Sequence, residues 1–290
     1  MMNHEINRAF KNRILTGGPL LMPGAANALA ARITEDLGFE AVYLSGAGLT
    51  NTFLAMPDMG FVGLSDIAQH TATIRDATEL PIVVDADNGF GNALNVCHTI
   101  RTLERAGASA VQLEDQTTPK RCGHFSDQQV VPLKEARSRI RAAVDTRQDE
   151  HTLIVARTDA RATDGLTEAL ERASAFIEDG ADITFVEAPL SIEEMCKIPV
   201  ALNGTPQLVN LVVGGKTPIL ALDELGEMGF SLVLYANVAL QAAVHGMQIA
   251  LGQLKETGKM DQDGPLASFL ERQRIVRKDH FDKLERRYAL

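Results

Sequence analysis

The sequence predicts an α/β chain closed into a (β/α)8 barrel, eight parallel strands ringed by helices, with a helical arm at its C-terminal end. Three observations carry this prediction. Eight short runs rich in Val, Ile and Leu recur along the chain, longer stretches with helical apolar spacing separate them, and several of those stretches close on Gly. Runs such as 81–84 and 153–156 are apolar on both faces, as parallel strands covered by helices must be. A doubly wound open sheet uses the same alternation and stays as the alternative; eight strands is the barrel number.

The strands fall in order at Leu20–Met22, Ala41–Leu44, Ile82–Asp85, Ala110–Glu114, Leu153–Arg157, Ile183–Glu187, Leu208–Asn210 and Leu232–Tyr235. Between them, helical spacing spans Ala28–Leu37, Asn92–Ala106, Leu133–Arg147 and Leu166–Asp179, with Gly38, Gly107 and Gly180 at helix ends. The barrel domain is expected over about 16–245 of a single-domain chain of 290 residues. From about 246 to 290 a charged helical extension follows, either a solvated face or an arm packed on a neighbouring subunit.

Composition narrows the function. A hydrophobic fraction of 45% and a charged fraction of 23% describe an ordinary globular chain. The net charge of −10 repels phosphate backbones, and 5% aromatic residues leave few stacking platforms, so no nucleic acid partner is expected. The apolar stretch 232–244 is too short to span a bilayer, so no membrane partner is expected either. Three scattered cysteines without a Cys-x-x-Cys pair, and an N-terminal run lacking an apolar core, point to the cytoplasm.

In a barrel the reactive groups stand where each strand stops. Here those positions hold Tyr43 and Ser45, Asp85 and Asp87, Gln112, Glu114 and Asp115, Arg157 and Asp159, Glu187, and Asn210. Asp85 and Asp87, two residues apart on an extended run, face the same way and suit Mg²⁺ or Mn²⁺, or else cap the helix from Asn92 or form a turn. Cys122 sits within Lys120-Arg-Cys-Gly-His, where neighbouring cations favour thiolate; the bland reading is an incidental loop cysteine. Arg157 offers a fork of donors to a substrate carboxylate, or pairs with Glu187 or Asp159. Backbone N–H groups around Ser45 and Gly46 suit a carboxylate too. Cys97 and Cys196, on helical stretches, are expected to be buried packing residues.

The strings Val84-Asp-Ala-Asp-Asn-Gly, Leu113-Glu-Asp-Gln, Lys120-Arg-Cys-Gly-His, Val155-Ala-Arg-Thr-Asp-Ala and Gly215-Lys-Thr-Pro together resemble the isocitrate lyase and phosphoenolpyruvate mutase superfamily. The match runs in order from about Pro23 to the final helices, and the Lys-Arg-Cys-Gly-His string places it in the lyase branch. The resemblance implies a homotetramer with the C-terminal helices exchanged between subunits. It implies Mg²⁺ at Asp85 and Asp87 with Glu114 in the outer sphere, and substrate held by Tyr43, Ser45, Gly46, Ala47, Gly123, Arg157, Glu187 and Asn210. Cys122, Tyr43 and Arg157 become the catalytic candidates, in a retro-aldol cleavage of a small dicarboxylate.

Within that superfamily the strings Phe185-Val-Glu-Ala-Pro and Gly214-Gly-Lys-Thr-Pro look closer to the 2,3-dimethylmalate lyase and oxaloacetate hydrolase group. The 2-methylisocitrate lyases carry an Asn-x-Thr-Glu string where this chain has Asn210-Leu-Val-Val, and an Arg where it has Gln241. A third substrate carboxylate would then be buried without a cation, which is costly. A four- to six-carbon 2-hydroxy or 2-oxo dicarboxylate is the expected substrate class. 2-Methylisocitrate cleavage, oxaloacetate decarboxylation and a non-catalytic metabolite-binding barrel are the alternatives.

Overall fold

In a computed structural model, which describes residues 2–121, 123, 128–261 and 264–289, eight parallel strands close in sequence order, β1 pairing with both β2 and β8. They are β1 (Leu20–Ala25), β2 (Val42–Leu44), β3 (Ile82–Asp85), β4 (Ala110–Glu114), β5 (Leu153–Thr158), β6 (Ile183–Val186), β7 (Gln207–Asn210) and β8 (Leu232–Tyr235). Each predicted strand lies on an observed one, with ends that differ by up to three residues. The closed ring settles the barrel against the open sheet.

The helices are α1 (Met2–Thr16), α2 (Ala28–Asp36), α3 (Gly46–Leu49), α4 (Leu64–Ala77), α5 (Ala93–Ala106), α6 (Leu133–Thr146), α7 (Ala160–Thr163), α8 (Leu166–Glu178), α9 (Ile192–Ala201), α10 (Leu222–Met228), α11 (Val238–Thr257), α12 (Phe269–Ile275) and α13 (Lys278–Tyr288). Local chemistry fixes several boundaries. The Asn92 side chain accepts from the N–H groups of Leu94 and Asn95 and so starts α5, a role that neither Asp85 nor Asp87 takes. Gly107 ends the same helix at φ 101°, a conformation that costs glycine least.

Two shells of apolar packing result. Inside the ring, Leu20, Met22, Tyr43, Val83, Val155, Phe185, Leu208 and Leu232 fill the barrel, and Phe10 and Ile14 of α1 close its N-terminal mouth. Outside, residues such as Val42, Ile82, Val111, Ile154 and Phe176 pack the strands against the helices. α1 was not marked by any strong periodic signal. α11 runs unbroken through position 245 and buries none of its twenty residues within the chain, while α12 pairs Arg274 with Asp36 of α2. Among the described residues, no helix is long and apolar enough to cross a membrane.

Cys97 is partly buried, as a packing residue can be, but Cys196 is exposed on α9. The helical pattern around 196 is real, yet its apolar face turns Met195 and Ile198 inward instead.

Candidate active site

Strand alternation decides which polar side chains meet. Along each strand every second residue points into the ring, and Tyr43 with Ser45, Gln112 with Glu114, and Arg157 fall on the inward parity. Asp85, Glu187 and Asn210 join them, and Ala47 and Gly123 complete the predicted residues around one cavity of about 30 Å³. Asp115 has the opposite parity. It faces the helices, where Thr158 Oγ1 donates to it at 2.7 Å and Arg172 Nη1 of α8 at 3.2 Å.

Asp87 reaches the site by another route than an extended strand. β3 stops at Asp85, and Asp87 turns back at φ 47° so that its own N–H donates to Asp85 Oδ1 at 3.2 Å. Both carboxylates then crowd Gly46, where a Cβ would stand 3.1 Å from Asp85 Oδ2 and 3.2 Å from Asp87 Oδ1. The Gly46 N–H donates to Asp85 Oδ2 at 3.3 Å, so this glycine serves the acidic pair here.

Burial makes this cluster costly to charge. It pushes the Asp87 carboxyl up to about 7, with Lys120 opposing and Asp85 and Asp58 adding to the rise. Burial likewise lifts Glu114 well above the usual carboxylate range, against the pull of Arg157. Lys120 Nζ lies 2.7 Å from both Asp58 Oδ1 and Asp87 Oδ1, and these carboxylates outweigh its own burial and hold it as an ammonium.

The residues fit a hard divalent cation. The donors are all oxygens, the carboxylates of Asp58, Asp85, Asp87 and Glu114 outnumber the Lys120 charge among them, and Glu114 Oε1 is buried without a hydrogen-bond donor among the described residues. These oxygens are not gathered as tightly as the donors of a closed all-protein cage. A cation gripped by one or two carboxylates that keeps its waters, as Mg²⁺ does, matches this spacing.

Arg157 is held twice over. Its Nε and Nη2 donate to Asp159 at 2.9 and 2.8 Å, its Nη1 lies 3.7 Å from Glu187 Oε2, and its guanidinium stands 5.2 Å from the Phe185 ring centre. The predicted ion pairs therefore form, and the bidentate fork is already engaged by Asp159. Tyr43 donates to Gln112 Oε1 at 2.9 Å, and Gln112 Nε2 donates on to Asp85 Oδ1 at 3.3 Å. Burial, reinforced by Asp85, raises the phenol far above its ordinary value and keeps it protonated.

The segment after β4 covers this end of the ring. Gln116 fixes it by accepting from the Arg121 N–H at 2.9 Å and donating to the Arg121 carbonyl at 2.8 Å. Gly123 then packs so closely that an added Cβ would stand 2.4 Å from Arg157 Nη2 and 2.5 Å from Glu187 Cγ. Cys122 and His124 lie outside the described residues.

Residues 10–255 match the family described as phosphoenolpyruvate phosphomutase. The chain belongs to this family. Among members of the isocitrate lyase and phosphoenolpyruvate mutase superfamily, it is 39% identical over 290 residues to a 2,3-dimethylmalate lyase of Eubacterium barkeri, covering 98% of this chain and 99% of the relative. It is 42% identical over 239 residues to a 2-methylisocitrate lyase of Aeropyrum pernix, covering 82% and 76% of the two chains. A solved phosphonopyruvate hydrolase in complex with oxalate and Mg²⁺ superimposes with a TM-score of 0.88 at 28% identity, covering 98% of this chain and 99% of the other.

Sequence reasoning missed several residues of this family member's cavity. Asp58 arrives from the irregular segment between β2 and α4, where no periodicity marks it. Asn237, just beyond β8, accepts from Ser45 Oγ at 3.3 Å. Strand-end position was the available signal for Asn237; Asp58 carried none.

Proposed function

We propose that this enzyme cleaves the carbon–carbon bond of a small 2-hydroxy or 2-oxo dicarboxylate, 2,3-dimethylmalate- or oxaloacetate-like, by Mg²⁺-dependent retro-aldol chemistry. The observation that carries this reading is the excess of buried carboxylates facing Arg157 across one small cavity at the C-terminal strand ends. Asp85 and Asp87, with Glu114 in the outer sphere, would hold Mg²⁺ (or Mn²⁺), which would supply Lewis acidity to the substrate oxygens.

The chain's own groups do the rest. Arg157, fixed by Asp159 and Glu187, presents positive charge to a substrate carboxylate without losing side-chain freedom on binding. The protonated Tyr43 hydroxyl, which donates to Gln112 in the free enzyme, turns its single proton to the reacting oxygen once substrate is bound. The proton of the substrate hydroxyl passes to the carboxylates lining the cavity; when the bond breaks, its electron pair stays on the departing carbon, and Cys122, as the thiol, passes that carbon a proton. For oxaloacetate, the hydrated ketone takes the place of the hydroxy acid, and the products are oxalate and acetate. Ser45, Ala47, Gly123, Glu187 and Asn210 line the space around the substrate.

The cavity favours two carboxylates over three. Its cationic side chains among the described residues are Lys120, Arg121 and Arg157; Lys120 and Arg157 already face carboxylates, and Val212 and Leu234 make an apolar wall. At about 30 Å³ it holds a few waters at most, so the Lys120–Gly123 segment must open to admit an acid. Identity of 42% to a 2-methylisocitrate lyase keeps the tricarboxylate as the second reading.

The test is product NMR on oxaloacetate, 2,3-dimethylmalate, citramalate, 2-methylisocitrate and phosphonopyruvate, with Mg²⁺ or EDTA, for the native chain and Cys122→Ala. Cleavage of a dicarboxylate into two acids, lost in EDTA and in the variant, is expected. Pyruvate and CO₂ from oxaloacetate, indifferent to Cys122→Ala, would instead mark a decarboxylase. Silence across the panel would leave a metabolite-binding barrel. The exposed apolar residues of α11 further support a homotetramer in which these helices pack on neighbouring subunits.

A further inference from the structure

At the N-terminal end of the barrel, opposite the acidic cavity, three side chains far apart in sequence converge. His4 stands on the first turn of α1, and Asp149 and His151 on the turn between α6 and β5. Among the described residues, these are the one set of three His, Cys, Asp or Glu side chains whose donor atoms all lie within 4.8 Å of one another. His4 Nδ1 lies 2.9 Å from Asp149 Oδ1, and the two imidazole rings are 4.8 Å apart at 46°.

We propose that His4, Asp149 and His151 form a second metal site, selective for a borderline transition metal of the Zn²⁺ class and separate from the Mg²⁺ chemistry. Two imidazoles and one carboxylate are the donor set that zinc prefers and magnesium does not. Zinc bonds of about 2.0–2.1 Å place tetrahedral donors roughly 3.3 Å apart, so the donors must draw in by about 1.5 Å. His4, half exposed on the first turn of α1, supplies that movement.

What distinguishes this cluster from a chance surface grouping is how firmly the carboxylate is held. Asn7, buried in α1, donates to Asp149 Oδ2 at 2.9 Å, and the His151 N–H donates to Asp149 Oδ1 at 3.0 Å. The Glu104 carboxylate in turn accepts from the backbone N–H groups of Gln148 and Asp149, and Lys11 donates to the Glu150 carbonyl. Such outer partners orient ligands in metal sites and set their affinity. A metal here would pin α1, whose Phe10 and Ile14 close the barrel floor, to the turn entering β5.

The experiment uses the untagged full chain with Mg²⁺ in excess. Zn²⁺ is titrated by calorimetry, Co²⁺ by its visible absorption, and thermal midpoints are taken with and without Zn²⁺, for the native chain, His4→Ala, His151→Gln and Asn7→Ala. Zinc on thiols elsewhere is common to all four and subtracts out. We expect one Zn²⁺ equivalent per chain and its thermal stabilisation to vanish in His4→Ala and His151→Gln, and affinity to fall about 10–100-fold in Asn7→Ala. A tetrahedral Co²⁺ spectrum should appear in the native chain, need more Co²⁺ in Asn7→Ala, and be missing in His4→Ala and His151→Gln. Zinc stoichiometry and stabilisation unchanged by His4→Ala would overturn the site and leave the His4–Asp149 contact as a simple ion pair. His4→Ala touches no residue of the acidic cavity, so its turnover with Mg²⁺ should match the native chain.

Discussion

At the scale of single residues, charge state at the acidic cavity follows from burial. Asp87 keeps its proton in the folded chain up to about pH 7, whereas an unfolded Asp releases it near about 3.9. Between these values the folded state binds the extra proton, so stability is present below the lower value and is lost as pH rises through the upper one. Asp115, raised to about 6 by burial and by Asp159, acts in the same sense. In EDTA, the thermal midpoint should therefore fall between about pH 4 and pH 7, and excess Mg²⁺ should flatten the fall by replacing the proton. A midpoint that climbs across this interval without metal would contradict the account. These residues were legible in the sequence as strand-end acids; their protonation was not, because it depends on Lys120 and Asp58 from other segments.

Single elements carry the next two expectations. Phe176 of α8 is fully buried between the helix layer and the barrel, and Phe176→Ala should cost about 4 kcal/mol in urea unfolding, leaving the fold cooperative. A loss below about 1 kcal/mol would mean that the layer collapses around the gap. The segment after β4 behaves differently, since Gly123 touches Arg157 and Glu187 with no room for a side chain. Gly123→Ala should lower kcat/KM at least about 100-fold by displacing that segment, as small misplacements of reacting groups do, while the thermal midpoint stays unchanged. Equal turnover in this variant would show that close packing there is not part of the reaction. The strands and the helices with strong apolar spacing were readable because a period of 2 or 3.6 is a local property. α1 and the stretch bearing Asp58 lacked such a period, and only their packing partners place them.

For the whole molecule, the expectation concerns assembly. α11 exposes Val244, Met247, Ile249 and Leu251, and the following segments expose Phe269, Leu270 and Phe281. So many large apolar side chains exposed together are stable in water when something covers them. Light scattering should give the mass of four chains, and Leu251→Glu with Phe269→Glu should yield smaller species. A monodisperse native monomer would remove the homotetramer and leave these residues without a partner.

The sequence by itself determined the eight strands, the strand-end positions of Tyr43, Glu114 and Arg157, and the resemblance that named the superfamily, because each rests on local spacing or on short strings. Tertiary structure alone decided which partner each polar group takes. It gave Lys120 to Asp58 and Asp87 together, committed the fork of Arg157 to Asp159, turned Asp87 back on Asp85 at positive φ, exposed Cys196, and brought His4 to Asp149 and His151 across the barrel floor. The physical reason is range. Periodicity is fixed by sterics within a few residues, whereas a buried charge must be answered by whichever charges the closed ring carries to it.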